Sequence, residues 1–84
     1  MNTINELKNW IEANKMNDIY LPNNQNNKYV TDIGEGLEDV HGLFIWFLVD
    51  EKGNRSDIEI FKSEKDAVQF AYQKLLKRLN KNKI

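Results

Sequence analysis

The sequence reads as an α+β domain: a three-stranded antiparallel β-meander with N- and C-terminal helices packed on one face, in the order α-β-β-β-α. Three observations predict this. Capping signals precede helically spaced apolar residues near both ends; "LFIWFLV" is a continuous apolar run of strand length; and "EKGNR" separates that run from the alternating "SDIEIF".

The first helix starts where Thr3 and Glu6 match a capping box, in which the Thr hydroxyl takes the Glu6 amide and the Glu6 carboxylate reaches back to the Thr3 amide. Ile4, Leu7, Trp10 and Ile11 then follow at helical spacing as far as Asn14 or Lys15. "IYL" is a short apolar island closed by Pro22, and "NNQNN" after it reads as a loop. "KYVTDI", Lys28 to Ile33, is rich in β-branched and aromatic residues and predicts the first strand, which leaves "GEGLEDVHG" as an acidic connection.

"LFIWFLVD" predicts the central strand, and the Gly and Asn of "EKGNR" suit a tight reversal over Glu51 to Asn54. With that loop, Asp50 faces Arg55, Phe47 faces Ile58 and Ile45 faces Ile60, so Ile45, Phe47, Ile58 and Ile60 form the face expected beneath the helices. Ser63, three residues before Asp66, predicts the N-cap of the last helix. Ala67, Val68, Ala71, Leu75 and Leu79 form its apolar stripe, and Lys77, Arg78 and Lys81 sit where cations complement the helix dipole.

Alternation sends Phe44, Trp46 and Leu48 to the other face, beside Phe61, Glu59 and Asp57. Two arrangements satisfy this mixture of aromatics and carboxylates. Either Trp46 is exposed in a binding surface, or the Asn-rich loop or Ile19 to Leu21 folds across it.

The 84 residues allow one domain, spanning 1–84, with a single modest core. There is no cysteine, hence no disulfide framework, thiol nucleophile or cysteine-based zinc site. The N-terminus lacks the pattern of a secretory signal, and the apolar run is far shorter than the roughly 20 residues of a membrane span, which predicts a cytoplasmic protein with no membrane contact.

A net charge of -1 conceals asymmetry: from Asp32 to Glu59 eight acids face two cations, whereas from Ile60 onward seven cations face two acids. The densest acidic stretch, "DIGEGLED", places glycine at positions where a calcium loop needs Asp or Asn, and it lacks both the third glycine of a dinucleotide fingerprint and the Lys of a phosphate loop. The single histidine, His41, predicts a turn or strand-edge residue rather than a metal centre. Ser56 and Ser63 have no base or elbow around them, so neither an enzyme nor a cofactor is expected. A single-strand nucleic-acid module using the Phe44, Trp46 and Phe61 face is the alternative, opposed by Asp57 and Glu59 on that face. A small regulatory protein-interaction domain is a further alternative.

The stretch "FLVDEKGNRSDIEIFKSEKDAVQFAYQKL", from Phe47 to Leu75, resembles the small immunity proteins of bacterial polymorphic and contact-dependent growth inhibition toxin systems. The similarity lies in a strand, an acidic-to-glycine hairpin, a second strand ending in Phe, and Ser-Glu-x-x-Ala opening an amphipathic helix. It implies an inhibitor that binds a cognate toxin domain, often a nuclease. A nuclease holds phosphates with Lys and Arg, so a carboxylate-rich surface is complementary to it and speeds encounter. On this reading Asp32, Glu35, Glu38, Asp39, Asp57 and Glu59 provide electrostatic complementarity, and Phe44 and Trp46 provide apolar contact, with no nucleic acid bound.

Overall fold

The computed structural model describes residues 1–16, 18–22 and 29–81. Helix α1 spans Ile4–Ala13, strands β1, β2 and β3 span Gly34–Val40, Leu43–Val49 and Arg55–Phe61, and helix α2 spans Glu64–Lys81. The strands form one antiparallel sheet in the order β1-β2-β3, so the expected α-β-β-β-α meander is the fold.

Both helices begin as their caps predict. The Thr3 hydroxyl accepts from the Glu6 amide at 3.1 Å, and the Glu6 carboxylate reaches back chiefly to the Asn2 amide, with the Thr3 amide a weaker influence. Ser63 accepts from the Asp66 amide at 3.1 Å. At the end of α1, Lys15 adopts φ 58 and the amides of Lys15 and Met16 return to the carbonyls of Glu12 and Ile11. This 5→2 and 6→1 pair closes the helix and turns Met16 into the core. Trp10 meets Tyr72 edge-on at 4.9 Å, and the Ile4 amide donates to the Glu64 carboxylate at 2.8 Å, which fixes the start of one helix against the start of the other.

The first strand lies later in the chain than expected. "GEGLEDV" is β1, whereas Tyr29–Ile33 forms turns and bends in which Asp32 accepts from the Tyr29 amide; Lys28 and residues 23–27, the Asn-rich loop, lie outside the described residues. The acidic segment pairs because its reversal needs only two residues. His41 and Gly42 both take positive φ, at 52 and 88, as a primed two-residue turn requires.

The sheet also presents its other face to the helices. Ile45, Phe47, Ile58 and Ile60 were the expected inner set, but Leu37 and Trp46 occupy the core beneath the helices, flanked by Phe44 and Phe61. Of the expected set Phe47 is buried, on the opposite face against Tyr20 and Arg55, while Ile58 and Ile60 are exposed. Every residue of β2 is apolar, so alternation alone cannot choose its inner face. The aromatic face has more area to bury. Phe70 of α2 takes up that area, approaching Trp46 at 6.2 Å and Phe61 at 5.1 Å between ring centroids. Glu59, paired with Trp46, is tolerated on this side because β3 is the sheet edge and its carboxylate reaches water.

The expected register holds at Phe44↔Phe61, Ile45↔Ile60 and Trp46↔Glu59, then slips: Leu48 pairs with Ser56 and Val49 with Arg55. A β-bulge containing Asp57, at φ 52, absorbs the extra residue. The β2–β3 loop is correspondingly tighter, with the Asp50 amide donating to the Asn54 carbonyl and the Asp50 carboxylate taking the Lys52 and Asn54 amides. Ile19-Tyr20-Leu21 runs parallel to β1, where the Tyr20 amide donates to the Glu35 carbonyl and the Leu37 amide to the Tyr20 carbonyl. Ile19 and Leu21 enter the core, and the Tyr20 ring approaches Phe47 on the outer face.

Candidate interaction surface

Because "GEGLEDV" is a strand, its acids cannot act as one cluster. Leu37 faces the helices, so Glu35 and Asp39 share its side and Glu38 points to the other. Glu38 meets Arg55 at 2.6 Å, and that guanidinium also lies over the Phe47 ring at 4.2 Å from its centroid. Glu35 lies 3.6 Å from Arg78, which holds Asp18 at 2.8 Å. Lys74, Lys77 and Lys81 line the same open cleft as Glu35 and Arg78, so the acidic and basic parts of the sequence meet in space here. Asp32 and Asp39 cap turns, taking the amides of Tyr29 and Gly42.

Burial pushes the Glu35 carboxyl above its ordinary range; Arg78 opposes this and Asp18 adds to it. The folded state therefore holds the Glu35 proton more tightly than the unfolded chain does. Its ionisation cost is absent below the unfolded carboxylate range, grows as pH rises toward the raised folded value, and is complete above it. Glu35→Gln removes this dependence. Thermal melts in an acid pH series should show the wild type losing stability relative to Glu35→Gln as pH rises through that window; parallel curves would mean that the carboxyl is not desolvated.

Trp46 is 1% exposed, which corrects the reading of it as an accessible partner contact. Its cover includes Phe70 of α2, and Ile19 and Leu21 belong to the same core. Phe44 and Phe61 are half-buried on that side. The stacking platform required by the nucleic-acid reading is thus under the helices.

Asp57 and Glu59 remain. Both are exposed on β3, and neither makes an ion pair among the described residues. On the opposite, helix-free face of the sheet lie Ile58, 49% exposed, and Ile60, 61% exposed, continued by Ile45 and by Leu43 at 43%. Sequence reasoning assigned the three isoleucines to the core; the sign that could have freed them is the larger aromatic area on the opposite face. Among the described residues no group of three or more His, Asp or Glu is placed to hold a metal, and no helix is long and apolar enough to cross a membrane. Comparison with protein-family models, curated proteins and solved structures gives no match for the chain.

Proposed function

We propose that the protein is an immunity protein that acts in the cytoplasm, binding and neutralising a cognate bacterial toxin domain, a basic nuclease, without catalysing a reaction. The observation that carries this reading is the exposed aliphatic patch of Leu43, Ile58 and Ile60 on the helix-free face, next along β3 to Asp57 and Glu59, carboxylates that make no ion pair among the described residues. Apolar side chains supply contact area, and unpaired acids favour a cationic partner and speed its approach. Asp32, Glu35, Glu38 and Asp39 have structural partners, so their contribution is a diffuse negative field rather than direct contact. Trp46 acts through the fold.

The test is co-expression with the toxin domain whose gene this reading expects next to the gene for this chain. The wild type should restore growth, and Ile58→Thr with Ile60→Thr should weaken toxin binding by roughly tenfold or more, as expected when two apolar contacts are lost, while leaving the melting curve nearly unchanged. Growth arrest despite abundant folded wild-type protein would overturn the proposal.

A further inference from the structure

The two edges of the sheet differ. Beyond β1, Tyr20 takes up the free backbone groups of Glu35 and Leu37. Beyond β3, nothing among the described residues pairs with the strand, and Arg55–Ile60 are all exposed. An outer strand of this kind carries a row of unpaired amides and carbonyls, which is a template for another strand unless it is blocked. The bulge, which takes in Asp57 and Ile58, interrupts the first half of β3, whereas Glu59–Phe61 keeps regular register with β2.

Charge decides what can pair there. A second copy joined antiparallel about Ile58 would set Asp57 against Glu59 twice, and one joined about Glu59 would set that residue against itself. A register centred on Asp57 would bring Arg55 opposite Glu59, but it runs through the bulge and asks Arg55 to leave Glu38. Self-pairing is therefore disfavoured in each of these registers. A cationic strand meets no such conflict.

We propose that β3 receives an extended segment of the partner as a fourth strand along Ile58–Phe61, a mode of binding that rests on the reading of the protein as a binder of a basic protein. Neighbouring strands share faces, so the alternation Ile58-Glu59-Ile60 dictates the alternation of its guest. Apolar side chains of the segment lie beside Ile58 and Ile60 on the helix-free face. Lys or Arg side chains lie beside Glu59 on the other face.

The probe is an end-capped eight-residue peptide alternating Arg and Val, compared with an isomer that groups the same residues into two blocks. Both are titrated into the isotope-labelled full chain while backbone amides are followed by NMR. The alternating peptide should bind about fivefold or more tightly than the blocked isomer, and shifts and slowed hydrogen exchange should centre on Ile58–Phe61. Glu59→Lys should weaken it by about tenfold, and Asp57→Asn, which suits a left-handed backbone, by less. Equal binding of the isomers, perturbation centred elsewhere, or indifference to Glu59→Lys would overturn the strand-addition proposal. The same variant separates this proposal from the function it rests on. If Glu59→Lys binds and neutralises the toxin as well as the wild type does, the strand mode falls and the immunity reading stands. If the peptide docks on β3 but the wild type neutralises no toxin, the immunity reading falls and the strand site stands.

Discussion

Trp46→Ala is expected to remove about 3–5 kcal/mol of folding stability, the usual cost of truncating a large buried aromatic, in urea unfolding followed by circular dichroism. A domain of this length has roughly 4–13 kcal/mol in total, so the variant should lie near or below the threshold of folding. The expectation rests on Trp46 being 1% exposed between Leu37 and Phe70, not on any partner. Ile60→Thr is the matched comparison, since Ile60 is 61% exposed on the opposite face. It should change stability by about 0.5 kcal/mol or less, as surface substitutions usually do. A loss as large as that for Trp46 would mean that the aliphatic face is covered.

Gly36→Ala should cost about 1–3 kcal/mol, the range for forcing extra atoms into a packed site. A Cβ there would lie 2.7 Å from Phe47 Cζ and 2.8 Å from Tyr20 Cβ. The Phe47 ring is hemmed in by Arg55 and Tyr20, and Tyr20 is held to β1 by two backbone hydrogen bonds, so neither neighbour withdraws without a loss elsewhere. The expected readout is a melting midpoint lower by about 10 °C, with faster hydrogen exchange at the Tyr20 and Leu37 amides. An unchanged midpoint with both amides still protected would show that the approach is not tight.

These two positions mark where the sequence could and could not be read. The element order, the caps at Thr3 and Ser63, the stripe of α2 and most of the β2–β3 register follow from local chemistry, because a capping hydroxyl or a turn glycine acts on its own neighbourhood. β1 was hidden by composition. Two glycines and three acids argue against a strand, yet Gly36 is small because Tyr20 and Phe47 close over it, and that crowding exists only in the folded molecule. The inner face of β2 was hidden for a related reason. When both sides of a strand are apolar, the helix that docks decides which is buried, and Phe70 is too far away in sequence for a local pattern to reveal the choice.

The candidate surface was legible in part. Asp57 and Glu59 were identified from charge alone and are exposed and without ion partners among the described residues. The remaining acids were not separable by charge, because counting carboxylates does not distinguish one held by Arg55 or Arg78 from one facing only water.

The cover of Trp46 also has a temporal side. All three strands precede α2 in the chain, and the hairpins that join them are local and quick to close. The sheet can therefore close before the helix that shields it has docked. For as long as the segment Glu64–Lys81 stays undocked, Trp46 and Phe61 lack their Phe70 partner, and the folding chain displays an aromatic face that the finished protein does not.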